Sequence, residues 1–168
     1  PGFDVKAYVN SQLVTLTPGE DYTVSYSDNV MPGLGTVKVT GKGKYVGTKT
    51  ATFKIRPKKV KNLKATAGVN KIGLSWSAVT GATGYLVYAS AENGEFEYIG
   101  STKTTSYMAT GLPDGVEYEY RVAAYVKTPV GNISGEKSDI LTEGAMIELD
   151  SVTLSKDTFT YTGEYLDK

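Results

Sequence analysis

Gly111–Val126 reads GLPDGVEYEYRVAAYV. After the Pro-Asp-Gly turn signal, Tyr118, Tyr120, Val122 and Ala124 alternate with Glu119, Arg121 and Ala123. Side chains two residues apart share one face of a strand, so this run predicts a strand with one buried face. The same period extends outward. Ile72, Leu74 and Trp76 alternate with Gly73 and Ser75, and Tyr85, Val87 and Ala89 alternate with Leu86 and Tyr88. Further strands are expected over 61–67, 96–99 and 105–110, with the last near 136–141. Glu92-Asn93-Gly94 supplies a tight reversal. About seven short strands at regular spacing predict an all-β sandwich.

Composition agrees. Nineteen glycines and thirteen tyrosines in 168 residues favour strands and turns. Lys plus Arg and Asp plus Glu stand at 18 each, so no net field steers the chain toward nucleic acid. The basic run Lys58, Lys59, Lys61 and Lys64 reads as a solvated linker and strand edge. No run of 18 apolar residues is present, so no membrane-spanning helix is expected. Cysteine and histidine are both absent. That removes disulfides, thiolate metal sites and the commonest general base, so Ser/His/Asp hydrolysis is excluded for this chain. No catalytic, cofactor-binding or metal residue is assigned. Pro1 in place of Met leads us to expect a processed product or a piece of a longer chain.

The head, Pro1–Ile55, alternates in the same way. Phe3, Val5, Ala7 and Val9 share one strand face; Tyr22, Val24 and Tyr26 share another. Val37 with Val39, and Ala51 with Phe53 and Ile55, mark two more strands, and Gly43 is expected at positive φ. Four or five strands are too few for a closed sandwich, so something must cover the exposed core.

The tail, Ser151–Lys168, reads SVTLSKDTFTYTGEYLDK. Val152 and Leu154 alternate, Ser155-Lys156-Asp157 turns, and Phe159 and Tyr161 alternate again. Tail joined to head gives one continuous pattern. These four apolar residues are therefore expected to be a strand-donating segment that completes the sandwich of another copy. Either successive copies form one polypeptide, or separate subunits polymerise by strand donation.

Two resemblances follow. DYTVSYSDN and GTVKVTGKGKYVGTKTATFKI resemble a bacterial immunoglobulin-like repeat of secreted and surface proteins, whose missing Tyr-Thr-Gly strand lies at Tyr161–Gly163. The LSW, GYLVY and GLPDGVEYEYRV runs resemble a fibronectin type III domain. That resemblance implies Trp76 as the core tryptophan, and Tyr118 as a corner tyrosine bonded to upstream backbone. Some relatives carry an Arg-Gly-Asp loop where Val130-Gly131-Asn132 stands here; the motif is absent from this chain.

The expected organisation is tandem β-sandwiches. Residues 1–56 form an immunoglobulin-like module lacking its first strands, 57–144 a fibronectin type III domain, and 145–168 a linker with the first strands of the next module. The expected role is a non-enzymatic structural repeat of an extracellular bacterial fibre, stalk or surface protein. Its partners would be further copies of itself, with no nucleic acid. The alternative is a carbohydrate-binding or adhesin module, accessory to a polysaccharide-degrading enzyme, in which Tyr8, Tyr26, Tyr45, Tyr88, Tyr98 and Tyr125 supply stacking faces. Asp21, Asp28 and Asn29 offer loop oxygens to calcium, but their spacing lacks the full loop signature and reads as an ordinary turn. Glu95 with Glu97 fits a glycosidase acid pair less well than ordinary solvent-facing charges on a strand. Lys6 with Asn10 gives no clear isopeptide crosslink, and Asn132-Ile133-Ser134 is a glycosylation acceptor pattern of little weight in a bacterial protein.

Overall fold

A computed structural model describes residues 2–91, 94–113, 115–149 and 151. The described residues are all-β. In the head, β1 (Lys6–Val9) and β2 (Gln12–Thr15) form a hairpin. Its turn residues, Asn10 (φ 49°) and Ser11 (φ 63°), are both left-handed, the geometry that matches strand twist in two-residue loops. β3 (Tyr22–Ser27), β4 (Gly33–Gly41) and β5 (Thr48–Ile55) form an antiparallel sheet. Gly43 turns at φ 61° as expected.

The register of that sheet separates two faces. Tyr26 opposes Val37, which opposes Ala51; Val24 opposes Val39; Gly35 opposes Phe53. The other face carries Ser25, Lys38 and Thr50, and Ser27, Thr36 and Thr52. One side is therefore mainly apolar, with Lys49 opposite Val39 as its exception, and the other mainly polar, with Leu34 opposite Lys54 as its exception, the pattern of a sheet packed chiefly on one side.

The second unit begins after Arg56-Pro57. One sheet comprises β6 (Lys64–Gly68), β7 (Lys71–Ser75) and β10 (Ser106–Thr110). The facing sheet comprises β8 (Gly84–Ala91), β9 (Glu97–Thr102), β11 (Glu117–Thr128), β12 (Gly131–Lys137) and β13 (Leu141–Gly144). Between them lie Ile72, Leu74, Val87, Tyr120 and Val122, all essentially inaccessible.

The expected final strand near 136–141 is corrected to two strands, β12 and β13, both paired with β11. The break falls at Ser138. Its N–H donates to the Val122 carbonyl (2.8 Å), and its buried Oγ accepts the Val122 N–H (3.0 Å). A side chain replaces a ladder bond there, while Asp139 and Ile140 turn outward. The expected strand over 61–67 starts later, at Lys64, and Phe96 lies just before β9.

Head and second unit touch. Arg56 Nη1 donates to the Ser134 carbonyl (3.5 Å). Gly81 lies beside Pro32: a Cβ there would sit 2.7 Å from Pro32 Cδ.

Candidate functional site

Two surfaces carry unspent chemistry. The first is the outer face of the β8–β9–β11–β12 sheet. A register shift between Val87 and Tyr88 brings Tyr88 opposite Tyr98 on β9. Their rings meet edge to face, with centroids 6.0 Å apart, a favourable aromatic geometry. Lys137 Nζ stands 4.0 Å above the Tyr88 ring, and the Arg121 guanidinium lies 5.4 Å from the Phe96 ring. Arg121 is held in place because its Nε donates to the Ser138 carbonyl (3.0 Å). Tyr98 is 57% exposed. The result is an exposed Tyr98 ring beside a Tyr88 ring capped by Lys137, with Arg121 at the margin, so Tyr98 offers the free face for stacking on a flat or pyranose ring.

Of the six tyrosines expected to supply stacking faces, only Tyr88 and Tyr98 come together. Tyr26 packs edge-on against Phe53 (6.1 Å), Lys44 covers Tyr45 (5.2 Å), and Tyr8 lies exposed on β1. Tyr125 lies against Gly84. Tyr8, Tyr26 and Tyr45 lie in the head, whereas Tyr125 shares the outer face with Arg121 and Tyr88 but sits against Gly84, so the ring contact is confined to the Tyr88–Tyr98 pair. Sequence reasoning missed Phe96, Arg121 and Lys137 here. Their convergence depends on cross-strand register, which local pattern does not carry.

The second surface is an open groove of about 460 Å³ in the head. Its floor is the apolar face of β4 and β5, with Val37, Val39, Ala51 and Phe53; its other wall is the segment around Phe3 and Val5. The Phe53 ring lies directly on Gly35, where a Cβ would come within 2.5 Å. Among the described residues before Arg56, only Leu16 and Tyr22 are fully buried apolar side chains, against eleven in the core cluster of the second unit. Among the described residues, the apolar face of the head is thus open on one side.

The remaining expected residues are placed as follows. Trp76 is buried, its ring edge-on to Tyr85 (5.3 Å). Tyr118 is half-buried beside Tyr120, with ring centroids 6.3 Å apart. Tyr120 is fully buried, and burial first, then Tyr118 and Glu143, push its phenol up to about 12. The Asp21 carboxylate accepts the Thr17 N–H (2.8 Å), and Asp28 accepts the Ser27 hydroxyl (3.1 Å). These are turn contacts. No group of three or more His, Cys, Asp or Glu side chains suited to a metal occurs among the described residues. Asn10 is spent in the β1–β2 turn. Glu95 and Glu97 are both exposed. The tail residues Val152, Leu154, Phe159 and Tyr161 lie outside the described residues, as do Glu92 and Asn93 of the expected turn.

The two-sheet topology, the buried Trp76 and the strand spacing agree with a family-model match. Residues 58–137 match the model of the Fibronectin type III domain. This part of the chain is a fibronectin type III domain. Similar sequences occur in an amylopullulanase of Thermoanaerobacterium saccharolyticum (41% identical over 70 residues) and an alpha-amylase of Niallia circulans (42% over 78). These matches cover 40% and 44% of this chain, and 6% of each relative. The chain thus spans less than a tenth of the curated enzymes it matches. Among solved structures, an Fn3-like protein from Clostridium thermocellum is 26% identical, with a TM-score of 0.42, over 56% of this chain and 95% of that one. A fibronectin type-III domain of human fibronectin type III domain containing protein 3 is 17% identical, with a TM-score of 0.49, over 57% and 92%. Among the described residues no helix is long and apolar enough to cross a membrane.

Proposed function

We propose that the chain is a non-catalytic module of an extracellular bacterial polysaccharide-acting protein, and that its fibronectin type III domain offers the Tyr88–Tyr98 face to an α-glucan. The observation that carries this reading is the likeness of the domain to segments of starch-acting enzymes. The exposed Tyr98 ring beside Tyr88, with Lys137 and Arg121 at its margin, supplies suitable chemistry. Electrophoresis through gels containing amylopectin tests it. The parent chain should be retarded, and Tyr98→Ala should migrate as in a gel without polysaccharide. Equal mobility of the parent in both gels would refute glucan contact.

A second reading, a repeat unit of a stalk or fibre, is favoured by the close joining of head and domain through Arg56 on Ser134 and Pro32 on Gly81. Short, packed junctions hold neighbouring units in line. In this reading the head is the immunoglobulin-like partner of the fibronectin type III domain. Electron micrographs showing only isolated particles at high protein concentration would count against it.

A further inference from the structure

We propose that the groove of the head accepts the stretch Val152–Gly163 of a second copy of the chain as an added β-strand. This deepens the stalk reading and rests on it, and it is independent of glucan binding.

The groove asks for an extended, alternating apolar segment. Val37 with Val39, and Ala51 with Phe53, lie two residues apart on adjacent strands, forming an apolar floor with a strand's own spacing. The outer edges of β1 and β5 are unpaired among the described residues, so backbone donors and acceptors flank that floor. In Val152–Gly163, Val152 with Leu154 and Phe159 with Tyr161 repeat the same two-residue period. The groove's volume of about 460 Å³ is in the range that encloses a mid-sized organic ligand, room for aromatic anchors.

Geometry selects a second copy over the chain's own tail. Gly144 opposes Glu117, and Met146 N–H donates to the Gly68 carbonyl, so the chain leaves the domain at the start of β11. The head joins at the other pole, where Gly84 and Ser134 oppose Tyr125. From Glu117 to Tyr125 is eight residues (125 − 117), about 26 Å at about 3.3 Å each. Ala51 lies four residues beyond Ile55 on β5 (55 − 51), about 13 Å more. Thirteen residues separate Met146 from Phe159 (159 − 146), about 43 Å at the same rise. A direct return would consume nearly all of that length. About 4 Å would remain, too little to round the domain. A neighbouring copy faces no such limit.

The test uses the full chain with a benzophenone-bearing phenylalanine in place of Phe159. It is mixed with an epitope-tagged copy, irradiated, and the adducts are mapped by mass spectrometry. The expected result is adducts at twice the 18.0 kDa chain mass and above, mapped to β4 and β5. Ala51→Asp in the tagged copy should reduce them at least tenfold with its far-UV circular dichroism unchanged. Tyr161→Asp in the donor, which leaves the groove intact, should do the same. Adducts confined to single chains, adducts mapping elsewhere, or no adducts would each overturn the proposal. Filament imaging tests the stalk reading separately, since filaments built on another contact would leave that reading standing.

Discussion

Ser138→Ala should destabilise the fibronectin type III domain far more than the loss of one surface hydroxyl. Ser138 is 1% exposed, and its Oγ accepts the N–H of Val122, a residue with no accessible surface. The same hydroxyl donates to the Asp139 carbonyl (2.8 Å). Alanine leaves the Val122 N–H buried without that acceptor, which costs about 1–3 kcal/mol; the Asp139 carbonyl, nearer solvent, recovers a partner from water. For a domain of this size each kcal/mol lowers Tm by about 4–8 °C, so a drop of roughly 4 °C or more is expected. The chain has a single tryptophan, and Trp76 is 6% exposed against Tyr85. Its emission therefore reports unfolding of this domain in urea. Ser75→Ala, at an exposed position, serves as the control and should stay within about 0.5 kcal/mol of the parent. A Ser138→Ala midpoint indistinguishable from that control would refute the reasoning, because the hydroxyl would then not be satisfying Val122.

Two further outcomes follow from buried groups and close contacts. Tyr120 ionises at about 12 in the fold against about 10 in the unfolded chain. Its stabilising effect is thus complete below pH 10 and is lost as pH rises from 10 toward 12, by up to about 2 kcal/mol. Tyr120→Phe lacks that loss, so the stability difference between parent and variant should shift in favour of the variant across this window in urea melts; a constant difference would contradict it. At neutral pH the variant should be at least as stable, since the Tyr120 hydroxyl has no hydrogen-bond partner among the described residues. Gly81→Ala combines a left-handed φ of 75° with a Cβ pressed on Pro32, and should cost about 1–3 kcal/mol. Pro32→Ala in the same chain should recover part of that loss; no recovery would mean that head and domain do not meet there.

The alternation of Tyr120, Val122 and Ala124, and of Ile72, Leu74 and Trp76, was enough to define the sandwich and its buried face, because a strand's period of two is local. The same period on β4 and β5 marked an apolar face in the head. Three features needed the tertiary structure. The division of the last strand at Ser138 depends on a side chain replacing a ladder bond to Val122, a contact 16 residues away in sequence. The pairing of Tyr88 with Tyr98, and the approach of Lys137 and Arg121, depend on a register shift between strands. The groove between Phe3 and Ala51 depends on where the N-terminal segment lies across a sheet completed nearly fifty residues later. Side-chain period is written residue by residue, whereas register and the separation of layers are fixed only when distant strands compete for the same hydrogen bonds and the same buried space.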